Sequence, residues 1–346
     1  MSTNKITFLT NWEATPYHLP IFLAQTRGYY EREGIEVAIL EPTNPSDVTA
    51  LIGSGKVDMG LKAMIHTLAA KARGYPVTSF GSLLNEPFTG LITLKGNGIN
   101  DFKDIKGKRI GYVGEFGKIQ LDDLCSKFGL SPSDYTAIRC GMNIAPAIIN
   151  GEIDGGIGIE CMQQVELERW CVSQGRPRSD VQMLRIDRLA NLGCCCFCTI
   201  LYIAHDEFIA KHPDKIKAFL RAIHSATLDM LKDPVQTYKE YIHFKREMGS
   251  ELHREQFERC FAYFSHDISN VPRDWNKVTN YSKRLGIIPQ DFEPNCTNGY
   301  LTWELDPDEK DPMGKQEAIA EIQDEIKQKG GVFSGNSLRY VEPANL

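Results

Sequence analysis

"ALIGSGKVDMGL" (50–61) and "AIINGEIDGGIG" (147–158) follow one plan: an apolar helix end, a glycine, a β-branched residue, an aspartate and a second glycine. Gly55, Val57, Asp58 and Gly60 fall in line with Gly151, Ile153, Asp154 and Gly156. A helix stopped by glycine and followed at once by a short buried strand accounts for this spacing. Its use twice in one chain predicts two lobes built alike.

Outward from the first repeat, strand and helix patterns alternate. "KITFLT" (5–10) reads as a buried strand, "PIFLAQTRGYYEREG" (20–34) as one helix closed by Gly34, and "IEVAILE" (35–41) as the next strand. In "NPSDVTALIGSG" (44–55), Asn44 or Ser46 serves as N-cap, Pro45 opens the first turn, and Gly53 or Gly55 is the stop. "VDMGL" (57–61) returns to strand and "MIHTLAAKARG" (64–74) to helix. This β-α-β-α order predicts an open α/β sheet.

"FKDIKGKRIGYVGEFGKIQLDDLCSKFG" (102–129) opens the second lobe with a basic loop, a strand, a glycine-bearing turn and a helix. Residues 176–213 hold strands that lead back to the first lobe, and helices follow over 214–233 and 274–288. From about 304 the composition shifts to a charged helix near 313–328 and a glycine-rich tail. The expected division is a first lobe of 1–95 plus 199–303, a second of 96–198, and a C-terminal extension of 304–346. The extension is expected on the surface or against a neighbouring subunit.

The formal net charge of −6 argues against a nucleic-acid partner, which would call for a basic face. No stretch approaches the roughly 18 apolar residues of a membrane span. The start, "MSTNKITFLTNW", lacks a basic segment followed by an apolar one, so a cytoplasmic location is expected. Disulfides rarely persist there, and the ten cysteines do not read as a staple framework. "NLGCCCFCTI" (191–200) nevertheless sets Cys194, Cys195, Cys196 and Cys198 within five positions. If extended, the run turns Cys194, Cys196 and Cys198 one way and Cys195 the other. Three soft thiols on one face would suit iron, zinc or copper; packing as small apolar side chains is the bland alternative.

Three further stretches carry chemistry. In "GEFGK" (114–118), glycines between a strand and a helix let backbone amides approach an anion, with Lys118 as countercharge. An ordinary glycine turn would look the same. In "LKAMIHTLAAKARG" (61–74), Lys62 and His66 are four apart, which on one helix puts them on one face near its N-terminus. A lysine there could form an imine with an aldehyde, its protonated form disfavoured by the helix dipole. A solvated lysine and a half-buried histidine are the alternative. "TNWEATPYHLP" (10–20) offers Asn11, Trp12, Tyr17 and His18 in a loop after the first strand, for stacking on a planar ring or for filling the core.

Together "TNPSDVTALIGSGKVDMGLKAMIHTLAAKARG", "GYVGEFGKIQ", "GIGIECMQQVELE" and "LGCCCFC" closely resemble the fungal thiamine-pyrimidine synthase (4-amino-5-hydroxymethyl-2-methylpyrimidine phosphate synthase) family. The resemblance runs from about residue 4 to about 303. It implies an α/β, two-lobed periplasmic-binding-protein-like (type II) fold with a cleft between lobes. It implies pyridoxal 5′-phosphate bound as a substrate through an imine on Lys62, and His66 as the histidine donor consumed in a single turnover. Asn11 and Trp12 would line the ring, and Gly114, Glu115, Phe116, Gly117 and Lys118 would take the phosphate. Iron and dioxygen would be required, with Cys194, Cys195, Cys196 and Cys198 bearing on the iron and His18 as a further candidate ligand. A homodimer acting on small molecules, without nucleic acid or membrane, is the implied context.

Two other readings compete. A cytosolic pyrimidine- or pyridoxal-phosphate-binding protein of the solute-binding fold needs neither Lys62 nor the cysteine run. A conventional pyridoxal enzyme would turn over more than once.

Overall fold

Thr7 on the first strand and Arg109 on the sixth are each gripped by an aspartate of the repeat. In the computed structural model, which describes residues 4–305, 314–336 and 338, the Asp58 carboxylate accepts the Thr7 amide at 2.7 Å and its hydroxyl at 2.8 Å. Asp154 accepts the Arg109 amide at 2.8 Å and its guanidinium at 2.8 Å. Each aspartate thus pins the register of two neighbouring parallel strands. The glycines before them, Gly55 at φ +70° and Gly151 at φ +68°, end their helices in the left-handed conformation.

The chain divides into two units, one of residues 1–86, 199–279 and 288–346, the other of 87–198 and 280–287. In the first, β1 (Lys5–Leu9), α1 (Leu19–Thr26), α2 (Tyr29–Arg32), β2 (Glu36–Leu40), α3 (Val48–Gly53), β3 (Met59–Ala63), α4 (Met64–Ala72) and β4 (Val77–Leu84) run in order. In the second come β5 (Thr89–Leu94), β6 (Arg109–Tyr112), α5 (Glu115–Lys127), β7 (Thr136–Arg139), α6 (Ile144–Ile149), β8 (Gly155–Ile159), α7 (Val165–Ser173) and β9 (Val181–Arg185). The chain returns to the first unit through β10 (Ile200–His205) and the helices α8 (Asp206–Lys211), α9 (Pro213–Lys232), α10 (Pro234–Phe244) and α11 (Glu251–Cys260). α12 (Pro272–Arg284) and α13 (Gly314–Gln328) close the order.

Among the described residues each unit holds one five-stranded sheet, ordered β2-β1-β3-β10-β4 and β7-β6-β8-β5-β9. In both, three parallel strands meet one antiparallel strand at the fourth position. In the first unit, Phe8, Phe80 and Tyr202 pack on Phe219 of α9, with the Phe8 and Phe219 rings 5.2 Å apart. In the second, Leu91 and Ile92 on successive positions of β5 enter different apolar clusters, one holding Leu121 and Leu124, the other Ile144 and Leu167. A strand buried on both faces needs no alternation, which is why such strands read as plain apolar runs.

The structure corrects three expectations. The helix expected over 20–34 is two, because Gly28 at φ +67° breaks it. The first division falls at Glu86/Pro87, not at 95/96, since β5 pairs with β8 and β9 of the second sheet. Residues 280–287 also leave the expected first lobe: Arg284 forms a forked pair with Asp123 at 2.8 and 2.9 Å. Of the two placements expected for the extension, its described part takes the first, on the surface of its own chain. Gln323 Nε2 donates to Tyr263 Oη at 3.2 Å, the Val332 amide to Glu258 at 2.7 Å, and Phe333 sits against Tyr238 and Phe257. Residues 306–313, 337 and 339–346 of that extension lie outside the described residues. No helix among the described residues is long and apolar enough to cross a membrane.

Candidate functional site

The parallel strands β2, β1 and β3 end on one edge of the first unit's sheet, the edge where open α/β sheets carry ligands. Asn11 and Trp12 follow β1, Pro45 follows β2, and Lys62 and His66 stand at the β3–α4 junction. The sequence therefore gathers four of its candidate residues at one sheet edge. Residues 114–118 and the cysteine run belong to the second unit.

Lys62 is the penultimate residue of β3, so it does not share one helix with His66. Ala63 is extended at ψ 146° and serves as N-cap, so α4 starts only at Met64. Strand pairing decides this: Lys62 lies opposite Leu201 of β10, and the Met64 amide donates to Thr199 O at 2.9 Å. The lysine is 6% exposed and its Nζ donates to the Pro45 carbonyl at 2.5 Å. Burial pushes its pKa down to about 8, with Asp47 working the other way. Desolvation, not a helix dipole, therefore weakens this base. His66, in the first turn of α4, is half-buried. Burial, with the positive charges of Lys62 and Arg73, holds its imidazole well below the ordinary pKa, so it is neutral at pH 7.

The loop after β1 is fixed along its length. The Thr10 amide donates to Leu40 O at 2.9 Å, the Ala14 amide to Glu41 at 2.7 Å, and Tyr241 Oη to Thr15 O at 2.9 Å. Glu41 is itself paired with Lys245. Asn11 and Trp12 remain half-buried, whereas Tyr17 and His18 are buried and face inward. His18 does not suit an additional metal-ligand role, because both ring nitrogens are hydrogen-bonded within the loop, Nδ1 to the Thr15 amide and Nε2 to Asn11. Pro45, Glu41 and Tyr241 were not legible as site residues, since each acts through a main-chain carbonyl or at long sequence separation.

In the second unit, Gly114 is the extended N-cap of α5, and the Lys118 amide makes the helix's first i→i−4 bond, to Gly114 O at 3.1 Å. The amides of Glu115, Phe116 and Gly117 precede that bond, which leaves them in the position from which helix N-termini bind anions. The countercharge expected of Lys118 is already engaged, for its Nζ lies 2.5 Å from Asp122 one turn on.

The cysteine run follows an irregular path, not a strand, between β9 and β10. Gln120 of α5 holds it by donating to Cys195 O at 3.0 Å. Cys194 and Cys196 pack among Leu91, Ile110, Leu121 and Leu124, while Cys198 lies outside that cluster and is half-buried. Burial pushes the Cys194 thiol up, away from the thiolate a metal would bind. None of the ten cysteines forms a disulfide. Among the described residues no group of three or more His, Cys, Asp or Glu side chains is arranged to hold a metal ion. Two of the four thiols, Cys194 and Cys196, are thus packed into the apolar core.

The family model described as NMT1/THI5 like matches residues 15–237. The 4-amino-5-hydroxymethyl-2-methylpyrimidine phosphate synthase THI13 of Saccharomyces cerevisiae is 62% identical over 331 residues, 95% of this chain and 97% of that protein. The synthase of the same name from Aspergillus parasiticus is 61% identical over 332 residues, 96% of this chain and 97% of that one. Matches of this length pass beyond residue 303 and take in part of the extension. A Candida albicans protein described as having the generic periplasmic binding protein fold superposes with a TM-score of 0.60 at 16% identity, over 89% of this chain and 99% of its own. The chain shares that α/β fold.

Proposed function

The chain belongs to the NMT1/THI5-like family, and on that premise we propose that it makes 4-amino-5-hydroxymethyl-2-methylpyrimidine phosphate from pyridoxal 5′-phosphate and its own His66. The synthase activity is the one its relatives are named for. The observation that carries the substrate assignment is the pair at the β3–α4 junction: a buried lysine amine of weakened basicity beside a neutral imidazole.

Lys62 fits an aldehyde. Its amine is unprotonated in a useful fraction near neutral pH, and the Pro45 carbonyl orients it. His66 keeps its ring lone pair because Lys62 and burial disfavour its protonation. Asn11 and Trp12, held by the anchored loop, are assigned to the heteroaromatic ring. The first turn of α5 is assigned, in its own unit, as the phosphate-binding turn. When bound, pyridoxal phosphate supplies an electrophilic carbonyl and a ring that withdraws electrons. A histidine spent as reactant limits the protein to one product per chain. No step is routed through iron at the cysteine run.

Intact and peptide mass spectrometry after incubation with pyridoxal phosphate, ferrous iron and air tests this reading. A mass change confined to His66, with no more than one product per chain, is expected. Product in excess of the protein with His66 unaltered would overturn it in favour of a multiple-turnover enzyme.

A further inference from the structure

The His18 ring is fully buried, and its two nitrogens face partners of opposite kind. The Thr15 backbone amide donates to Nδ1 at 3.0 Å. A backbone N–H can only donate, so Nδ1 carries a lone pair and the neutral ring carries its proton on Nε2. Nε2 stands 2.9 Å from Asn11 Oδ1 and therefore donates to it. That sets the Asn11 amide: its oxygen is turned to His18, and its Nδ2 donates one hydrogen to Tyr17 Oη at 3.0 Å. The orientation follows from an unambiguous main-chain donor through three links, not from an assumed flip of the amide.

Nδ2 has a second hydrogen. Asn11 is half-buried and lies after β1, on the sheet edge that also carries Lys62 and His66. We propose that His18 is a positioning residue that locks the Asn11 amide, so that Asn11 offers an N–H donor and selects a hydrogen-bond acceptor on the ring of its ligand. The inference rests on the assignment of pyridoxal phosphate to this edge and adds the polarity of one contact. Burial keeps the ring neutral, since it holds the His18 pKa down at about 3, and the Thr15 amide sets the tautomer. Thr15, which sets the chain in motion, is itself held by Tyr241.

The test is a thermodynamic cycle on pyridoxal 5′-phosphate affinity, read from the absorbance of the bound aldehyde in the full-length protein. His18→Leu is expected to weaken binding by about tenfold and to shift the absorption band, whereas His18→Gln, which restores an N–H donor to Asn11, stays within about threefold. In an Asn11→Ala background His18→Leu is expected to cost nothing further. An equal loss in both backgrounds, or no loss in either, would overturn the positioning role. Where His18→Leu does not fold, the His18→Gln comparison and the ring's nitrogen resonances decide. Those resonances should report one Nε2–H tautomer that does not titrate between about pH 5 and 8; an Nδ1–H tautomer refutes the proposal. If the unaltered protein binds no pyridoxal phosphate, the cofactor assignment fails, and the tautomer measurement still tests the His18–Asn11 link by itself.

Discussion

Lys62 and His66 stand four residues apart on two different elements, a strand end and a helix start, and the lysine's charge helps keep the histidine neutral. A single helix would have aligned their side chains by period alone. The strand-to-helix turn instead buries the lysine against Pro45 and leaves the histidine partly open.

The burial of Lys62 works against folding. Its folded pKa, about 8, lies below the unfolded value, so the unfolded chain binds more protons between about pH 8 and pH 10.4 and stability from this group rises with pH through that window. Below it the charged, buried amine costs up to about 3 kcal/mol. Lys62→Met should therefore be more stable than the parent at pH 7, with the gain fading toward about pH 10.4. Urea denaturation of both proteins at several pH values checks this; a destabilised Met variant at pH 7 contradicts it. Capture of pyridoxal phosphate by the parent should rise with pH, reach its midpoint near 8 and flatten above it.

Asp58→Ala and Asp154→Ala should each lower stability by about 1–3 kcal/mol, since each leaves a strand amide without its carboxylate. The Arg109 guanidinium holds the Asp154 carboxyl below its usual range. Its contribution is present above the unfolded carboxylate value and is lost as the pH falls through the depressed folded one. Acid titration followed by circular dichroism should show Asp154→Ala less sensitive to that last step than the parent. Neither aspartate is assigned a ligand, so the product per folded chain should not change.

Cys194→Ala and Cys196→Ala should act on packing, at about 1–2 kcal/mol each, without changing the iron bound per chain. Native thiol labelling should reach Cys198 before either of them. A drop of one iron per chain in either alanine variant would return the metal role to the run.

The extension should behave as part of the first unit. Phe333→Ala, which empties a ring contact with Tyr238 and Phe257, should cost about 2–4 kcal/mol, and Val332→Ala about 1. Thermal melts would show it; a melting temperature unmoved by both substitutions would mean the tail adds nothing.

The sequence by itself determined what near neighbours decide. Gly55 and Gly151 end their helices, Asn44 accepts the Ser46 amide at 3.1 Å as a cap, and the doubled plan of 50–61 and 147–158 does appear once in each unit. These are local effects of backbone strain and capping, complete within a few residues. Only the tertiary structure decided that Lys62 belongs to a strand, because the deciding partner, Leu201, is far away in sequence. The same holds for the boundary at Glu86/Pro87, set by the pairing of β5, and for Cys194 and Cys196, whose cluster includes residues from α5 and β5. Burial and strand pairing are sums over distant neighbours. A side chain's basicity, tautomer and availability to a ligand follow from those sums, and so were written in the fold and not in any one stretch of the chain.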